Sequence, residues 1–298
     1  MIRLAVRVQR AQAELVLAEL LELTPAGVEE VELAGGIVEY AVYGAAGEIP
    51  SLPDLKAAAG DALVEISTSE TADDWQERWK QFHRPVLIEA PRAGPGAPRP
   101  VPALCVRPPW EFELPARNSP VEEIVVDPGQ AFGTGAHATT RLCLELLLEL
   151  AADHERGSLL DVGTGSGVLA IAAARLGFAP VLALDHERES VEAARENAIV
   201  NDVEIEVRRF DVRSESLPWP GDRDVPPRET VIMANLLLPL LLELSRTMER
   251  APQHLIASGL LRAQVDEVVD AFGVCLGLRE HARRESGEWA ASWLVARS

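Results

Sequence analysis

Lysine is nearly absent from this chain: only Lys56 and Lys80 occur, and arginine supplies every other basic side chain. Basic residues of both kinds are few, 28 against 47 acidic ones, for a formal charge of −19. That balance argues against a nucleic-acid binder, which needs a basic stripe to displace phosphate counterions. It suits a basic protein partner or a cationic small molecule, and it also serves solubility. Cysteine is scarce too. Cys105, Cys143 and Cys275 stand far apart, with no Cys-x-x-Cys pair and no Cys/His cluster, which excludes a disulfide framework and a zinc site. They read as small buried hydrophobes, and no metal is expected. There is no apolar run of about 18 residues, so no membrane-spanning helix is expected. Residues 1–7 mix charged and apolar side chains without the apolar core of a signal peptide, and the expectation is a cytoplasmic monomer.

What is present is an ordinary globular composition, 47% hydrophobic and 25% charged, over 298 residues. At about 150 residues per domain, this length suits two domains. Residues 2–8 alternate with period two and predict a strand, and 11–23 predict a helix stopped at Thr24-Pro25-Ala26-Gly27. Residues 28–33 and 37–43 predict strands joined through Ala34-Gly35-Gly36, 52–59 a short helix and 63–67 a strand. The order, βαββαβ, is that of a small ferredoxin-like α/β sandwich. Up to Lys80 this part holds 15 acidic and 6 basic residues. A helix over 73–83 carrying Trp75 and Trp79 follows, then a Pro/Gly/Ala-rich surface loop over 90–102 and strand-like alternation over 118–126. Beyond residue 139, helices (142–150, 168–176, 190–200, 240–249, 265–272) alternate with strands (158–162, 181–184, 204–209, 230–234, 254–258, 276–282, 289–296). This alternation predicts a doubly wound, mainly parallel α/β sheet, whose ligands bind beyond the carboxyl ends of its strands.

The polar motifs fall there. Asp161-Val162-Gly163-Thr164-Gly165-Ser166-Gly167 carries a strand through a tight turn into a helix. Glycine has no Cβ, so backbone can pass close to a ligand. Val168 stands where a dinucleotide fingerprint would have its last glycine. Taken alone, the turn implies only a nucleotide-like ligand. Asp185, at the end of the next strand, can accept from ribose hydroxyls, with a helix cap as the alternative. Asp211, after the third strand, is placed to meet an adenine amino group or to make a turn. Asn235 closes the fourth strand, where its amide carbonyl can accept from an amine and aim the lone pair, or simply cap a turn. The stretch Asp127-Pro128-Gly129-Gln130-Ala131-Phe132-Gly133-Thr134-Gly135-Ala136-His137-Ala138-Thr139-Thr140 can fold over a cofactor and exclude water.

The glycine turn behind a strand-terminal acid resembles the first motif of class I methyltransferases. Residues 127–140 resemble the D-P-G-x-A-F-G-T-G-x-H-x-T-T signature of the bacterial ribosomal-protein methyltransferases, the PrmA family, which modify large-subunit protein L-eleven. The resemblance extends over Trp75, Trp79, Pro109-Trp110, Asn235-Leu236, Ser258-Gly259 and Glu288-Trp289. It implies a ferredoxin-like substrate-recognition domain over 1–70, a linker helix and loop over 71–118, and a class I methyltransferase domain over 119–298. It implies S-adenosylmethionine as cofactor, held by Thr140, Asp161, Gly163, Gly165, Gly167, Asp185, Asp211, Asn235 and Gly133. Asn235, Phe132 and Thr134 would be the catalytic residues, aiming a lysine or other amino group of a basic ribosomal protein. Ala138 departs from the family's usual proline, and Leu237-Leu238 replace small residues. Other readings in view are a lysine methyltransferase of the electron-transfer flavoprotein beta subunit, a small-molecule N-methyltransferase, a non-catalytic S-adenosylmethionine-binding module and a nicotinamide dehydrogenase.

Overall fold

Alternation of apolar and polar side chains builds the first sheet. The computed structural model describes residues 2–13, 16–17, 20, 28–33, 35–44, 50, 55–56, 59–70, 84–91, 100–111, 120–128, 135, 137–219 and 230–296. It divides into two units, Met1–Phe82 and His83–Ser298. In the first, β1 (Ile2–Gln9), β2 (Glu29–Leu33), β3 (Ile37–Gly44) and β4 (Leu63–Glu70) pair antiparallel in the order β2-β3-β1-β4. This is the ferredoxin-like order. Leu4, Val6, Val8, Val38 and Tyr40 form its core with Val16, Leu20, Leu55 and Ala59, which are helical. The alternate residues Arg3 and Arg7 of β1 pair with Glu39 of β3 at 2.5 and 2.6 Å, and Arg7 also pairs with Glu65 of β4. Hydrogen bonds from Arg3 and then Arg7 hold the Glu39 carboxyl below the usual carboxylate range, although burial opposes them. The remainder of the two expected helices, and the whole of the expected Trp75–Trp79 helix, lie outside the described residues.

The second unit is built on seven strands: β8 (Ser158–Val162), β9 (Val181–Asp185), β10 (Glu206–Arg209), β11 (Thr230–Asn235), β12 (His254–Leu261), β13 (Leu278–Ser286) and β14 (Trp289–Ala296). Their order is β10-β9-β8-β11-β12-β14-β13, parallel through the first five and antiparallel at the last two. Every residue of β8 and β9 is buried, because helices cover both faces of a parallel sheet. Alternate residues feed different cores. Leu159, Val231, Met233 and Ile256 pack under α1 (Ala138–Asp153), α2 (Val168–Arg175) and α3 (Arg188–Val200). Leu160, Ile232, Ala234 and Leu255 pack under α4 (Leu238–Thr247) and α5 (Val265–Leu276). Each large side chain so buried contributes about 1.5–3 kcal/mol. Among the described residues no helix is long and apolar enough to cross a membrane.

Three expectations need correction. The stretch read as linker contains two strands, β5 (Val86–Ile88) and β6 (Ala103–Arg107), which join β7 (Val121–Val125) in a separate three-stranded sheet. Ala103, Leu104, Cys105 and Val106 are all buried, so β6 shows no alternation that would mark it as a strand. α1 starts four residues earlier than its leucines indicate, because His137 caps it and Thr139 and Thr140 are buried. Cys275 is exposed rather than buried, as it lies beyond Phe272, the last buried residue of α5.

One backbone crossing fixes the turn after β11. Gly259 has φ +84°, and a Cβ there would lie 2.4 Å from the backbone oxygen of Leu236. Gly277, which ends α5, has φ +69° but open space around it. Gly277→Ala should therefore cost only the left-handed conformation, about 1–2 kcal/mol. Gly259→Ala adds a clash that no rotamer relieves and should cost about 2 kcal/mol more, read as the difference in urea unfolding free energy.

Candidate active site

The carboxyl ends of β8, β9, β10 and β11 surround an open cleft lined by Val162, Gly163, Leu184, Asp185, Phe210, Asp211, Leu236 and Leu240 among others. The glycine turn enters it at Val162 and Gly163. Gly163, Gly165 and Gly167 all have positive φ, +76°, +53° and +83°. Gly163 faces the turn after β11: a Cβ there would come within 2.3 Å of Leu236 Cδ2. The backbone donors of the turn are used internally. Gly163 N and Thr164 N donate to Leu184 O at 2.8 and 2.9 Å, and Gly167 N donates to Thr164 O at 2.9 Å. Gly165 N donates to the Asp185 carboxylate at 2.9 Å. A pyrophosphate uses free N–H groups at a helix N-terminus, and these four are committed within the protein.

Asp185, 8% exposed, also accepts from Glu187 N at 3.1 Å, so it orders the start of α3 while facing the cleft. It is not the helix cap that the sequence offered as the alternative, because Glu187 is the N-cap of α3. Asp161 is fully buried at the end of β8. The Thr164 hydroxyl donates to its Oδ2 at 2.6 Å, whereas Oδ1 has no hydrogen-bond partner. Burial pushes the Asp161 carboxyl up to about 7, against the bonds from Thr164 and the Ala170 backbone, and the nearby Asp185 charge adds to the rise. Thr140, in the first turn of α1, is likewise buried with its Oγ1 unpartnered. Cys143, three residues further along α1, is pushed up to about 12 by burial and feels the Asp161 charge. Asp211 lines the cleft and its Oδ1 accepts from Arg213 N at 2.9 Å, so it also makes a turn.

Asn235 ends β11 in register with Ser258 of β12, and its backbone oxygen lies 3.8 Å from where a Gly163 Cβ would be. The Ser258 hydroxyl donates to Thr139 O at 3.3 Å, bringing the start of α1 to the same edge of the sheet. His137 caps α1: its Nδ1 accepts from Thr139 N at 3.4 Å, and its ring packs edge-on to Trp289 with centroids 5.0 Å apart. Gly135 has φ +80°, and a Cβ there would lie 2.8 Å from Val106 Cγ1, so the backbone at Gly135 passes tight against β6. Phe132, Gly133 and Thr134 lie outside the described residues. Among the described residues no group of three or more His, Cys, Asp or Glu side chains is placed to hold a metal ion.

The model of the family described as ribosomal protein L11 methyltransferase (PrmA) matches residues 54–296. The chain belongs to the ribosomal protein L11 methyltransferase family. A relative of that name from Heliobacterium modesticaldum is 36% identical over 76% of this chain and 64% of its own length. Another, from Pelobacter propionicus, is 38% identical over 76% of this chain and 67% of its own. The match thus spans about two thirds of the length of these relatives. The crystal structure of ribosomal protein L11 methylase from Lactobacillus delbrueckii subsp. bulgaricus shares 29% identity and a TM-score of 0.54, covering 71% of this chain and 98% of that one.

Phe210, Leu236 and Leu240 wall the cleft, and sequence reading passed over them because isolated apolar residues look like core. It also passed over Asn197 and Asn201, although a buried asparagine in the last turn of a helix and another at its C-cap are an available signal, since asparagine competes with helical hydrogen bonding.

The raised Asp161 carboxyl has a signed consequence. An acid with its folded pKa above its unfolded one makes the native state bind more protons between about pH 4 and 7, so stability falls as pH rises through that window. Asp161→Asn keeps an acceptor for Thr164 and carries no charge. Its unfolding free energy relative to the parent should rise by about 4 kcal/mol between pH 4 and 8. Parallel urea midpoints for both proteins across that range would show instead that Asp161 is not held neutral.

Proposed function

We propose that this chain transfers methyl groups from S-adenosylmethionine to amino groups of ribosomal protein L11, lysine side chains among them. One observation carries the reading: Asp185 presents a carboxylate to the cleft beside the glycine turn, where the backbone donors of Gly163, Thr164, Gly165 and Gly167 are used internally. S-adenosylmethionine is rich in donors, with ribose hydroxyls and an ammonium group, and carries no phosphate. Family membership and the L11 methylase fold support the same reading.

In this proposal Asp185 holds the ribose, and Asp211 meets the adenine along the wall made by Phe210. Gly163, Gly165 and Gly167 admit the ligand to the backbone, and Asp161 and Thr140 receive its amino-acid end. When bound, the cofactor supplies an electrophilic methyl on a sulfonium. Asn235 accepts from the substrate amine and aims its lone pair, a role shared with Phe132 and Thr134. A free lysine has a pKa near 10.4, so presenting it neutral at pH 7 costs about 5 kcal/mol. Removal from water next to a cationic group lowers that pKa, and a dedicated base is then unnecessary. Positioning supplies most of the acceleration, of order 7–11 kcal/mol.

Residues 1–70 serve to recognise the substrate in this reading, 71–118 connect, and 119–298 catalyse. The excess of 15 acidic over 6 basic residues up to Lys80 suits a basic ribosomal protein. The test is incubation with labelled S-adenosylmethionine and ribosomal proteins, followed by mass spectrometry of the labelled product. Label should appear on L11 amines. Asn235→Ala should cut turnover about 100-fold with little change in melting temperature, and unchanged turnover would remove Asn235 from the mechanism.

A further inference from the structure

Asn197, in the last turn of α3, and Asn201, which caps its C-terminus four residues on, are 4% and 2% exposed. Four helical residues rise about 6.0 Å and two strand residues about 6.6 Å, so an i, i+4 pair on a helix can address i and i+2 along a strand beside it. The two asparagines do this to β7. Asn201 Oδ1 accepts from Val125 N at 2.8 Å and its Nδ2 donates to Val125 O at 2.6 Å. Asn197 Oδ1 accepts from Asp127 N at 3.1 Å. β7 is an edge strand of its sheet, and the two amides stand where the peptide groups of a further strand would be.

Asn197 does one thing more. Its Nδ2 donates to Ser166 O, inside the glycine turn, at 2.9 Å. One planar amide therefore grips both the residue that opens the 127–140 segment and the turn that enters the cleft. On its other side the turn packs directly on α3, since a Cβ at Gly167 would lie 3.1 Å from Ala194 Cβ. We propose that Asn197 is a positioning residue: it ties Asp127 to the glycine turn at Ser166, and cofactor affinity depends on it although its amide is committed to protein groups. Asn201 holds the same strand without touching the turn. This inference rests on reading the cleft as an S-adenosylmethionine site.

The experiment titrates the full-length parent, Asn197→Ala and Asn201→Ala with S-adenosylmethionine and records a thermal melt of each. Both variants lose bonds to the edge of β7 and both should melt lower. Asn197→Ala should bind about 10-fold more weakly or worse, while Asn201→Ala should stay within about threefold of the parent. Asn197→Asp is the second variant. Its carboxylate still accepts from Asp127 N but cannot donate to Ser166 O until it is protonated, so its weakened binding should recover as pH falls, which a purely structural role would not produce. Equal losses of affinity in the two alanine variants, or a parental affinity and pH profile in Asn197→Asp, overturn the inference. A parent protein that takes up no S-adenosylmethionine overturns the reading of the cleft instead, so the two failures are told apart.

Discussion

In a parallel sheet every strand leaves by the same edge, and the rest of this molecule follows from that. The ladders that pair Asp161 with Ala183 and with Met233, Asp185 with Arg209, and Asn235 with Ser258 bring the polar ends of five strands into one row. The residues that matter are distant in sequence and become neighbours because each is the first polar group after an apolar strand. The strands need not be special beyond being apolar on both faces. It is the register between them that places an acid at the end of β8, another at the end of β9 and an amide at the end of β11.

Around that row the chain satisfies most of its own polar groups and leaves a chosen few unsatisfied. The glycine turn spends its N–H groups on Leu184 O, Thr164 O and Asp185, so it has little to offer an anion. Near the start of α1 and the end of β8, Asp161 Oδ1 and Thr140 Oγ1 are buried without partners, and an unpaired buried polar atom costs about 1–3 kcal/mol. The same burial pushes the Asp161 carboxyl up to about 7.

Much of this was legible in the residues alone. The strands 158–162, 181–184 and 230–234 read correctly because fully buried parallel strands are continuous apolar runs with a polar terminator, and one such terminator, Asp185, lines the cleft. The ferredoxin-like unit read correctly because its open sheet alternates in period two. What failed to show was whatever depends on packing between distant segments. β6 is buried on both sides and too short to declare a period. The first turn of α1 owes its place to a histidine cap and to the Ser258 hydroxyl, 119 residues away from its acceptor, Thr139 O. Leu236 gains its role only because Gly163 and Gly259 both pass close to it. Asn197 is one polar letter in a helix until β7 and the glycine turn are seen on either side of it.

The seven-stranded sheet keeps its two apolar cores apart, one under α1, α2 and α3 and the other under α4 and α5. Proximity along the chain is therefore a poor guide to energetic kinship. Leu159 and Leu160 are bonded neighbours that belong to different cores, as are Val231 and Ile232, or Leu255 and Ile256. Changes at two such adjacent positions have no shared cavity and combine close to additively. Leu160 and Phe272, more than a hundred positions apart, line one core, and there the effect of one change alters the room left for the other. The seven-stranded sheet is in this sense two mutational landscapes laid back to back, with a single layer of backbone as the boundary between them.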